Sequence, residues 1–110
     1  MRDHLLDEAH LLRQHVDYAT NNGDMFLDAT QNALVVANAE RYYRAMYQGS
    51  VQSWNLRDQH MFESLQAVKA HRGPGTKVIV WAHNSHVGDA SATEMGAHGE
   101  HNIGMLCRRE

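Results

Sequence analysis

His83 and His86 stand three positions apart, directly after the apolar run Lys77-Val78-Ile79-Val80-Trp81-Ala82, with Asn84 and Ser85 between them. An imidazole titrates near about 6.5, so it can take and return a proton close to neutrality. In an acid/base reading, one ring shuttles a proton while the other binds or polarises a carbonyl or phosphoryl oxygen, helped by Asn84 as a hydrogen-bond donor. In a metal reading, His83, His86 and Asp89, again at intervals of three, offer nitrogen and oxygen ligands to zinc or another divalent ion. The zinc-protease pattern of two histidines four apart on a helix, with Glu after the first, is absent. In a third reading Ser85 is a nucleophile flanked by imidazoles, but it has no Gly-x-Ser-x-Gly elbow around it. The plainest reading is that the two rings only satisfy backbone groups near the end of a strand.

Something must hold these side chains. Val, Ile and Trp favour strands, and an apolar run without alternation reads as a strand covered on both faces, as in a parallel sheet flanked by helices. Ligands in open α/β sheets bind at the carboxyl ends of such strands. The expected fold is therefore α/β: a mainly helical chain of about four helices with one buried strand near 77–83.

Apolar residues at helical spacing (Leu5, Ala9, Leu12, Val16, Ala19) predict a first helix ending near Thr20. A second is predicted from Asp24 through Tyr47, stopping at Gly49-Ser50. A third runs from about Ser53–Asn55 to Ala70, with Asp58 as the misfit on its apolar stripe. Asn55 and Asp58 have the spacing of a capping box, while Arg57 and Asp58 could also face the pocket at the strand end. Gly73-Pro74-Gly75-Thr76 predicts a turn, 87–99 a long loop with one helical turn at 91–95, and Asn102 the cap of a last helix over 103–109. A single strand leaves its ladder groups unpaired on both sides. Its neighbours are expected from the remainder of a larger protein or from a second copy.

The chain has 110 residues, 43% hydrophobic and 21% charged, with a formal charge of -3, and offers no basic patch to hold nucleic acid or an acidic membrane. No apolar stretch reaches the roughly 20 residues of a membrane span, and no secretory leader is visible, so a cytoplasmic location is expected. The one cysteine, Cys107, excludes an internal disulfide and is expected to be a small packed thiol in the last helix. No P-loop or dinucleotide glycine fingerprint is present.

Three blocks together resemble the erythromycin esterase family: Ser53-Trp54-Asn55-Leu56-Arg57-Asp58-Gln59-His60-Met61, then residues 77–89 as KVIVWAHNSHVGD, then Gly99-Glu100-His101-Asn102-Ile103-Gly104-Met105-Leu106. Their order and spacing are similar to the carboxyl-terminal part of that family. The resemblance implies an α/β fold of several hundred residues and a hydrolase that opens a macrolide lactone by water attack, without a required cofactor and with metal use differing across the family. It makes His83 and His86 active-site residues. Arg57 matches the basic position of the family's RD block, with Asp58 beside it, and Glu100 and Asn102 match its GExN block in binding or supporting roles. The resemblance places the family's water-activating histidine and its partner glutamate far upstream of the matching blocks, so the general base is expected outside this chain. Residues 1–110 are accordingly expected to be one segment of such a domain, with 1–52 a helical region and 53–110 the part that bears the motifs. Alone, it would have little activity on its small-molecule ester. Two rival expectations are a non-catalytic helical binding or assembly module and a small metal-binding protein.

Overall fold

The computed structural model of the chain describes residues 23–110, so the helix expected over 5–20 lies outside the described residues. The chain divides into two compact units, residues 1–41 and 42–110. The elements that matter for the site belong to the second.

Helix α1 spans Gly23–Met46, with Asp24 in its first turn and Arg44 in its last, each placed to complement the helix dipole. It tightens as it ends, where Tyr47 N–H donates to Arg44 O and Gln48 N–H to Ala45 O. Helix α2, Ser50–Arg72, starts earlier than the expected 53–55. Lys69, His71 and Arg72 fill its last turn, and Gly73, at φ 94°, closes it with an N–H bond to Lys69 O. The turn that follows has Pro74 before Gly75 at φ 83°, the Pro-Gly order that suits a type II turn.

Residues 77–83 correct the expected fold class. They form no strand, and no strand occurs among the described residues, so the α/β expectation gives way to a helical architecture. A strand is defined by the ladder beside it, and no described segment supplies one. The run is not buried either: Ile79 and Trp81 are 90% and 97% exposed, Val78 and Val80 41% and 39%. Hydrophobic composition makes this segment look like a core, but Ile79 and Trp81 are left uncovered and Val80 is only partly covered, beside Val87 and Ile103.

After the run come three short elements and a final helix. They are α3 (Asn84–Val87), a 3₁₀ turn at Ala90–Ala92, α4 (Glu94–Ala97) and α5 (Ile103–Arg109). Three are capped from the sequence immediately before them: His83 accepts from Ser85 N–H, Asp89 from Ser91 N–H and Thr93 from Met95 N–H. Asn102 caps α5 as expected, accepting from Met105 N–H. Helix α5 packs on α2, on α3 and on the 3₁₀ turn, so the elements carrying the three motif blocks share one small core. Gly104 permits the closest approach in it, since a Cβ there would lie 2.2 Å from Gly88 O and 2.3 Å from Val87 O.

Candidate functional site

Helix α2 presents Trp54, Arg57 and Asp58 at positions i, i+3 and i+4, a spacing that puts three side chains on one face. Asp58 is fully buried. It is not the capping-box partner of Asn55, because α2 begins at Ser50, upstream of both. Its carboxylate instead caps a different helix, accepting at Oδ2 from the Ile103 N–H at the start of α5, 3.1 Å away. The same carboxylate receives the Nδ1–H of His86, at 2.9 Å to Oδ1 and 3.1 Å to Oδ2. His86 is itself 8% exposed and is placed by the single turn of α3, where its N–H donates to His83 O at 2.8 Å.

The other edge of the His86 ring faces Arg57, whose Nη2 lies 3.3 Å from Nε2. A guanidinium has donors only, so Nε2 is the acceptor. Together the two partners assign His86 as a neutral imidazole with its proton on Nδ1 and its lone pair on Nε2. Trp54 covers the ring face, with centroids 4.7 Å apart and planes within 6°.

His83 carries the opposite tautomer. It is exposed, and its Nδ1 accepts the Ser85 N–H at 3.2 Å and stands 2.9 Å from Ser85 Oγ. An Nδ1 that accepts a backbone N–H leaves the proton on Nε2. Two rings three residues apart thus hold their protons on opposite nitrogens: His86 keeps a lone pair at Nε2, and His83 keeps a donor there.

The remaining expected residues divide. Asn84 is exposed and lines a shallow groove with Ser85, Asp89, Thr93 and Asn102, which neither imidazole lines. The Ser85 hydroxyl lies 2.9 Å from His83 Nδ1, a local contact two residues apart that accompanies the cap of α3. Glu100 is half-buried and is tied in through its backbone, its N–H donating to Met95 O at 2.9 Å. Asp89 accepts both the N–H and the hydroxyl of Ser91, at 3.0 and 2.6 Å. The Ser91 hydroxyl bond is the chief reason its carboxyl pKa lies below the ordinary value. His83, His86 and Asp89 are not gathered, and no group of three His, Cys, Asp or Glu side chains among the described residues is placed to hold a metal ion. Cys107, expected to be packed, is exposed.

Behind the histidines sits Asn102, 1% exposed. Its Oδ1 accepts from Met105 N–H at 2.9 Å and Ala90 N–H at 3.4 Å, and its Nδ2 donates to Ser85 O at 2.8 Å. It joins the cap of α5 to the loop that carries both imidazoles. The blocks around 53–61, 84–89 and 99–106 therefore meet in one hydrogen-bonded cluster.

The erythromycin esterase family profile matches residues 2–110, nearly the whole chain. The chain belongs to the erythromycin esterase family. No solved structure matches it. Membership supports a hydrolase of the esterase type at that coarse level. In this family member, no helix among the described residues is long and apolar enough to cross a membrane.

Sequence reasoning missed Trp54 as a site residue. The signal was present: once Arg57 and Asp58 were placed on a helix, a Trp three and four positions earlier had to share their face.

Proposed function

We propose that the cluster around His86 is the proton-handling part of a carboxylic ester hydrolase that opens a macrolide lactone or a related ester by water attack. The observation that carries this reading is the buried Asp58 carboxylate on His86 Nδ1, which holds a proton on Nδ1 and turns Nε2 to the opposite edge. A histidine held this way is oriented for proton transfer, and the carboxylate behind it stabilises the imidazolium that forms.

In the proposed reaction His86 takes over the water activation that the resemblance assigns to an upstream histidine: Nε2 takes a proton from water as the water oxygen bonds to the ester carbonyl carbon. The tetrahedral oxyanion then collapses, the carbon–oxygen bond to the alkoxide breaks, and the proton on Nε2 passes to the leaving oxygen. Arg57, exposed and already donating toward this ring, and the Nε2–H of His83 are the donors available to the carbonyl oxygen as charge develops on it. Arg57 occupies Nε2 when no substrate is bound, so it must turn away before water can sit there.

The test is hydrolysis of a macrocyclic lactone and of a p-nitrophenyl ester by the purified protein and its variants. His86→Ala is expected to lower kcat by about 10²- to 10⁴-fold, the usual contribution of a positioned proton carrier. His83→Ala is expected to lower it less, through loss of one donor. Unchanged rates in both variants would remove the assignment.

A further inference from the structure

Trp54 does more than fill space beside His86. Asp58 grips Nδ1 through both carboxylate oxygens, at 2.9 and 3.1 Å, and a ring held at one edge by two nearly equal bonds can still rock about that edge. Arg57 does not prevent the rocking. It is exposed, its contact with Nε2 is long at 3.3 Å, and it sits on a flexible stem. What remains is the ring face, and there the Trp54 indole lies within 6° of parallel at 4.7 Å between centroids.

The indole is itself fixed. Its Nε1–H donates to His101 O at 2.8 Å. His101 is pinned in turn by Asn55, whose Oδ1 accepts the His101 N–H at 2.8 Å and whose backbone oxygen receives the His101 Nε2–H at 3.1 Å. Asn55 Nδ2 donates to Gly99 O at 2.9 Å, which ties the 99–101 segment to α2 a fourth time. The indole is thereby held by its bond to an anchored segment, and stacking passes its orientation to the imidazole.

We infer that Trp54 is a positioning residue: its anchored indole fixes the plane of the His86 ring, whose tautomer Asp58 sets, and keeps that plane fixed when Arg57 leaves Nε2 to meet a substrate oxygen. The inference rests on the proposed role of His86, but its test needs no catalysis, so the two can fail separately. Arg57 also lies over the indole, with Cζ 5.9 Å from the ring centroid, so one Trp touches both the group that handles the proton and the group that must move.

The experiment is long-range proton–nitrogen NMR on the chain labelled at histidine nitrogen, in wild type, Arg57→Ala, Trp54→Leu and the double variant. Wild type is expected to show two separate His86 nitrogen signals, one protonated and one not, and ring protons shifted upfield by the indole. Arg57→Ala is expected to retain both features. Trp54→Leu is expected to lose the upfield shift and, combined with Arg57→Ala, to broaden the His86 ring-proton signals as the ring rocks about Nδ1, while Asp58 keeps the two nitrogens distinct. His86 ring signals as sharp in a folded double variant as in wild type would overturn the inference. So would the absence of an upfield shift in wild type, a measurement that stands even where a variant does not fold.

Discussion

Two regions of this chain exchange the roles that their compositions suggest. Val78, Ile79, Val80 and Trp81 are apolar and mostly exposed, whereas Asp58, His86 and Asn102 are polar and buried. The difference lies in what each region has beside it. Every buried polar side chain of the cluster has partners from another element: Asp58 has His86 and Ile103, and Asn102 has Ser85, Ala90 and Met105. A buried polar group is tolerated when it is bonded, and the apolar run has no comparable surface to meet. Burial at these positions therefore follows the partners a side chain finds rather than its polarity alone.

The strongest test of that contrast is Asp58→Ala. It strips the acceptor from His86 Nδ1 and from the Ile103 N–H together, and both donors are buried. Breaking a buried pair by removing one partner costs about 3–5 kcal/mol. Urea denaturation should show a loss of that size. Asp58→Asn should lose less, since the amide oxygen can still accept from one of the two donors while its NH₂ opposes the other. A cost below about 1 kcal/mol for the alanine variant would mean that the polar cluster does not hold these elements together.

Part of this was legible in the sequence. Asn102 at the head of a short apolar stretch predicted the cap of α5 correctly, because a cap is a local device written in adjacent residues. The features that the sequence misplaces are all non-local. Asp58 looked like a cap for its own helix because Asn55 stood three residues before it, but its partners are 28 and 45 residues away. The apolar run looked like a buried strand because strand propensity and period describe one segment, while burial and a ladder need a second one. Cys107 was misjudged for the same reason: helix membership was readable, but the face it occupies was not.

A smaller effect, of different origin, is expected at Gly104. A Cβ there would stand 2.2 to 2.5 Å from backbone atoms of Val87 and Gly88, which cannot swing aside as a side chain could. Gly104→Ala should push α5 from the segment following α3 and cost about 1–3 kcal/mol, the range typical of overpacking. Because α5 carries the Ile103 N–H that Asp58 receives, the His86 environment should shift in the same variant, visible as altered ring signals by NMR. Gly104→Ala with wild-type stability and unchanged His86 signals would uncouple the close approach from the site.

The smallest effect is the one that tests the other half of the contrast. Ile79 and Trp81 bury almost none of their surface, so replacing either with Ser removes little that folding had taken from water. Ile79→Ser and Trp81→Ser should each change the urea midpoint by no more than about 0.5 kcal/mol, the range for surface positions without special contacts. A buried Trp or Ile cut back in this way would instead cost several times as much, about 2–5 kcal/mol. The two values are far enough apart for one denaturation series to separate them. A loss above about 2 kcal/mol at Trp81 would show that this side chain is covered in solution, and the contrast between an exposed apolar run and a buried polar cluster would then collapse from the apolar side.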